Sequence, residues 1–134
     1  PSARVDQVVA DLQAWGPASG TGNVVGYLWS KLGFSAMLGA TALADEPMAD
    51  LIDRHRSLML ALANEVFALA ALRGIPLEAF DAFDPAALRD VPAARSAALD
   101  RLVHWLGRQS KTRSGVWRDI AVHRLQDLHK ESPA

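Results

Sequence analysis

Cysteine is absent from the 134 residues. That excludes a disulfide framework, a thiolate metal site and a cysteine nucleophile, and a reducing cytoplasm fits the composition. An excess of charge of one sign is lacking too. Fourteen Lys and Arg stand against fifteen Asp and Glu, so no global field draws nucleic acid or an anionic membrane. Long apolar runs are missing, and the longest, Phe34–Ala44, is too short to span a bilayer. No Asn-x-Ser/Thr acceptor, internal repeat or alternating strand pattern is present. Pro1–Gly16 carries Arg4, Asp6 and Asp11 among its apolar residues and does not read as a signal peptide.

What remains is an alanine- and leucine-rich chain, half of it hydrophobic, expected to be soluble, helical and long enough for one domain with a core. Ala3–Trp15 reads as a short amphipathic helix with Val5, Val8, Val9 and Leu12 as its stripe, stopped by Gly16-Pro17. Residues 17–22 read as a loop. Asn23 is the expected N-cap of a helix running to about Ala44. Asp45 is the expected cap of a helical segment opening at Pro47, and a long helix then reaches Arg73. Its stripe includes Leu51, Ile52, His55, Leu58, Met59, Phe67 and Ala70, and Gly74 with Pro76 behind it closes the helix. Leu77–Asp84 reads as a short turn or helix and Pro85–Arg89 as a further turn, with Asp81, Asp84 and Asp90 as turn and cap residues. A helix opens at Asp90-Val91-Pro92 with Leu99, Leu102, Val103 and Leu106 on its face. Gly107–Arg113 is a basic loop, and Ser114 caps a final helix. The class is all-α, with about five or six helices.

Three stretches invite chemistry. Gly20-Thr21-Gly22-Asn23-Val24-Val25-Gly26 resembles a dinucleotide fingerprint, but no buried strand precedes it, so a connector is the expectation. Tyr27, Lys31 and Ser35 stack at i, i+4 on an apolar helix. Lys31 is either a snorkelling lysine or a cation at a cleft, poised for a substrate oxygen. Lys111-Thr112-Arg113-Ser114-Gly115 joins two cations, two hydroxyls and a helix start. It is either an anion site suited to a carboxylate or an ordinary cap. His123 and Asp127 lie one turn apart without a second ligand pair, so no metal site is expected.

Two of these stretches carry a family resemblance. Asn23-Val24-Val25-Gly26-Tyr27-Leu28-Trp29-Ser30-Lys31-Leu32 resembles the Leu-Trp-x-Lys helix of ketopantoate reductases (2-dehydropantoate 2-reductases). Lys111–Ile120 is similar to their second signature, a Ser-rich turn before a helix with an Asp. Asn64-Glu65-Val66 and Arg73-Gly74-Ile75-Pro76 match in order and spacing between them. The resemblance implies a compact multi-helix bundle like the C-terminal domain of 6-phosphogluconate-dehydrogenase-like reductases. It implies an NADPH-dependent oxidoreductase acting on a small 2-keto acid, with pantothenate biosynthesis as the pathway.

Lys31 would be the catalytic proton donor to the keto oxygen, and Ser35, Ser114, Gly115 and Asp127 would contact substrate. Residues 1–22 would be an interdomain helix and linker, and 23–134 the substrate-binding domain, cut short at its C-terminus. NADPH would be held by a Rossmann domain ending about where Pro1 stands. This chain alone would bind no cofactor, be inactive, and form a homo-oligomer. Ser35 and Gly39 stand where the family often has asparagines, and Asp127 is the nearest counterpart of a family glutamate. These departures leave the keto acid open. A non-catalytic dimerisation module, and a small-acid binder without redox chemistry, are the alternatives.

Overall fold

The computed structural model describes residues 2–122 and is all-helical over them. Seven α-helices occur among the described residues: α1 (Ala3–Gln13), α2 (Val24–Ala40), α3 (Met48–Arg54), α4 (Arg56–Leu72), α5 (Pro85–Leu88), α6 (Pro92–Gly107) and α7 (Gly115–Ala121). A 3-10 turn, Thr41–Leu43, follows α2. None of these helices is long and apolar enough to cross a membrane.

Helix α2 packs on α4, α3 on α6, α5 on α6, and α7 on the 3-10 turn. The core between them holds Met37, Ile52, Met59, Phe67, Phe83, Leu88, Leu99, Leu102 and Leu106, all nearly sealed from solvent. Phe83 is its aromatic hub, with ring centroids 5.2 Å from Phe34, 5.5 Å from Phe80 and 6.1 Å from Phe67. The turn that delivers Phe83 is closed by two backbone bonds between Phe80 and Phe83, with Asp81 at φ 47°.

Small residues let α2 approach α4. Its buried line is Gly26, Ser30, Gly33 and Met37, at i, i+4, i+7 and i+11. A Cβ on Gly33 would stand 2.7 Å from Phe67 Cε1. Gly74, at φ 64°, ends α4. There the Gly74 N–H bonds Ala71 O and the Ile75 N–H bonds Ala70 O, which satisfies two end carbonyls.

Three sequence expectations are corrected. The long helix ending at Arg73 is two helices, broken at His55 (φ −115°, ψ 36°), which is exposed instead of sharing the apolar stripe. The break lets α3 turn to α6 while α4 lies on α2. Arg56, just past it, ties the corner by pairing with Asp53 and with Asp100 of α6. Asp45 does not cap α3. The Met48 N–H is taken by Thr112 O at 2.9 Å, and Asp45 is engaged by Arg113 instead. Helix α1 forms, but none of its residues is buried, and the stripe of Val5, Val8 and Leu12 is exposed. Glu46 binds Arg54 through both carboxylate oxygens, at 2.6 and 3.1 Å. That hydrogen bond holds its carboxyl below the usual range. The small stabilisation it gives is present at neutral pH and fades as pH falls through the lowered value.

The glycines of α2 give opposite-signed expectations. Replacing a helix-interior glycine by alanine ordinarily gains up to about 1 kcal/mol. Gly39 has open space around it, so Gly39→Ala should stabilise. A Cβ on Gly26 would fall inside contact distance of the Pro76 carbonyl oxygen and the Asn23 amide nitrogen, so Gly26→Ala should cost about 1–3 kcal/mol. Urea denaturation of the two variants checks the pair.

Candidate functional site

The start of α2 is fastened to the loop after α4. Asn23 caps α2, its Oδ1 accepting from Gly26 N at 3.0 Å. Its Nδ2 donates to Pro76 O at 2.9 Å and to Glu78 Oε1 at 2.8 Å, and its own N–H bonds Thr21 Oγ1. One turn on, the buried Ser30 hydroxyl donates to Gly26 O and accepts the Glu78 N–H at 3.1 Å. Both sides of a buried serine are thus used, which keeps its burial cheap. The Asn23–Gly26 stretch is spent on this latch. The Asn23 and Gly26 N–H groups are taken by Thr21 Oγ1 and Asn23 Oδ1, and no strand precedes the stretch among the described residues, so it does not fit a dinucleotide phosphate.

With Gly26, Ser30, Gly33 and Met37 facing α4, the opposite side of α2 is left free. Lys31 and Ser35 are exposed there, and Tyr27 is half-buried. Lys31 and Leu38, seven residues apart, share a face and stand about 10 Å apart along the axis. Phe34 and Leu38 form one wall of a cavity of about 230 Å³, and Lys111, Ser114 and Gly115 contribute another. The structure therefore sets the Lys31 helix beside the Ser114 turn, 79 positions further along the chain from Ser35 to Ser114. Lys31 and Ser35 do not line the cavity themselves. Asp127, like His123, lies outside the described residues.

The basic turn divides its charges unequally. Arg113 Nε binds Asp45 Oδ1 at 3.0 Å, its Nη2 binds Asp45 O, and its guanidinium sits 5.4 Å from the Trp117 ring centre. Arg113 is therefore a strut, joining the 107–114 loop to the segment before α3. Ser114 is 3% exposed, and its Oγ accepts the Trp117 N–H at 3.2 Å. It is a cap, as read from sequence, but one that also faces the cavity. Lys111 remains exposed, with no ion pair among the described residues, and a Cβ on Gly115 would stand 3.7 Å from its Nζ. Sequence reasoning did not single out Ser30 or Glu78. A serine at i+4 from a glycine on an otherwise apolar helix was the available signal, but its partner lies 48 residues away.

No known family model, no curated protein and no solved structure matches the chain.

If Asn23 were only a cap, Asn23→Asp would be nearly neutral, because the two are equivalent caps. The latch gives a different expectation. An aspartate loses both donors and sets a carboxylate against Glu78. Near neutral pH Asn23→Asp should cost about 2–3 kcal/mol, no less than Asn23→Ala. Part of that cost should vanish on acidification, because protonating either carboxyl relieves the repulsion in the folded state. Thermal melts against pH test this.

Proposed function

We propose that this chain is the substrate-binding domain of an NADPH-dependent reductase of 2-keto acids, like the ketopantoate reductases it resembles in sequence. The observation that supports the reading is the placement of an exposed lysine helix beside a cavity walled by the Ser114 turn. Reduction of a ketone builds negative charge on its oxygen, and a fixed cation with a transferable proton stabilises that charge. Lys31 supplies the proton to the keto oxygen. Ser114 and Gly115, which line the cavity, orient the acid, and Ser35 stands one turn from Lys31 on the same helix face for a further contact with it. The reducing cofactor belongs to a second, nucleotide-binding domain, and this chain contributes the proton and the shape of the cleft.

A second reading, an association module, draws on a different observation. Val5, Val8 and Leu12 of α1 are exposed, with Trp15 92% exposed beyond them, and Val24, Val25, Leu28 and Leu32 are exposed on α2. Large bare apolar faces mark interaction sites. Sedimentation equilibrium should show self-association of this chain at raised concentration, weakened by Leu12→Lys with Leu28→Lys. A strictly monomeric mass counts against association.

The catalytic reading is tested on Lys31 in the enzyme that includes the nucleotide-binding domain. Lys31→Ala should lower turnover by about 10²–10³ while leaving the melt unchanged, since the side chain is exposed. Lys31→Arg should also be poor, because a guanidinium does not readily release a proton. Wild-type turnover in Lys31→Ala would leave Lys31 as a snorkelling surface lysine.

A further inference from the structure

We propose that the cavity beside α2 takes a carboxylic acid with a hydrocarbon side chain, the carboxylate on Lys111 and the chain between Phe34 and Trp105. That the acid is a 2-keto acid rests on the reading of Lys31 above; its apolar character does not.

The walls carry the argument. Phe34, Leu38, Met48 and Trp105 line the cavity, and Lys111 is the single charged residue of its lining among the described residues. No acidic side chain lines it among the described residues, so none of them repels a carboxylate there. Arg113, the nearest cation in sequence, is committed to Asp45 and Trp117, which leaves Lys111 as the cation for an incoming anion. The other polar groups are occupied in part: Gln109 Nε2 donates to Trp105 O at 3.1 Å, and Ser114 Oγ takes the Trp117 N–H. A hydroxylated side chain would give up water and find few partners here, which costs affinity. A branched aliphatic chain or a single ring would lose nothing comparable. At about 230 Å³ the cavity falls below the roughly 300–1,000 Å³ of sites for drug-sized ligands, as suits a small acid. The unbranched Met48 side chain can adjust to the shape of the occupant.

The experiment titrates this chain with 4-methylpentanoate, 3-phenylpropanoate, their 2-oxo acids, the corresponding neutral amides and 2-dehydropantoate, following the Trp105 indole N–H and the Met48 methyl by NMR. The apolar acids should shift both signals and bind about tenfold or more tighter than 2-dehydropantoate. Lys111→Met should weaken the acids about tenfold or more and leave the amides unchanged, since a charge-assisted hydrogen bond is lost. Leu38→Gln should weaken the apolar acids and spare or improve the hydroxylated one. Equal binding of all acids, indifference to Lys111→Met, or shifts confined to other residues would overturn the proposal. The two readings fail separately. Lys111-dependent binding of the acids without Lys31-dependent turnover in the two-domain enzyme removes the reductase reading only. Lys31-dependent turnover of 2-dehydropantoate without response at Trp105 removes the cavity proposal only.

Discussion

Helix α2 meets α4 and the loop after it along Gly26, Ser30, Gly33 and Met37, small at every position but the last, with no room for a Cβ at Gly26 or Gly33. Helices usually stand 8–10 Å apart according to the side chains between them. Here glycine at two of four positions brings α2 down onto Phe67 and onto the carbonyl of Pro76. That depth sets everything on the far side of α2. The latch of Asn23 and Ser30 to the 76–78 loop fixes where the helix starts, and the 3-10 turn packed on α7 fixes where it ends. Lys31, Ser35, Phe34 and Leu38 then have one position relative to the Ser114 turn.

The same contact explains which parts of the fold could be read from sequence. Caps and stops are local, and they were legible: Asn23 and Ser114 as N-caps, Asp84 taking the Ala86 and Ala87 N–H groups, and Gly74 as a left-handed stop. The apolar stripe of α6, with Leu99, Leu102 and Leu106 buried, was legible for the same reason. The packed face of α2 was not. A buried line of glycine and serine carries almost no hydrophobic signal, while Leu28 and Leu32 on the exposed side carry much. The break at His55 was hidden too, because the apolar pattern continues through it and the cause is tertiary: α3 and α4 serve different partners. Asp45 missed its cap because a carbonyl from the 107–114 loop arrives first, a contact between residues 64 positions apart.

Of the candidate site, the residues were legible and their grouping was only partly so. Spacing alone put Lys31 over Ser35 and gathered Lys111 to Gly115. It could not show that Arg113 turns away to Asp45, nor that Phe34 and Leu38 complete a wall for the Ser114 turn. Both facts follow from the 45–48 segment crossing the 112–114 turn, where the Arg113–Asp45 pair and the Met48–Thr112 bond act together.

The distribution of spent and unspent charge gives the cleft its character. Arg54 is paired with Glu46, Arg56 with Asp53 and Asp100, and Arg113 with Asp45. Arg73 and Arg89 lie near the rings of Trp29 and Phe67. These arginines are planar, always charged and suited to fixed partners, so they hold the bundle's corners. The lysines Lys31 and Lys111 are in no such pair among the described residues. A lysine holds one compact charge on a flexible stem and can give up a proton, which an arginine does not readily do. A scaffold that engages these five arginines and leaves Lys111 at the mouth of an apolar cavity separates structural charge there from charge available to a ligand. On the proposal above, the engagement of Arg113 by Asp45 and Trp117 also sets which anion suits the basic turn. With Arg113 removed from it, a polyanion meets one cation, whereas a monocarboxylate with an apolar body meets a cation and a wall.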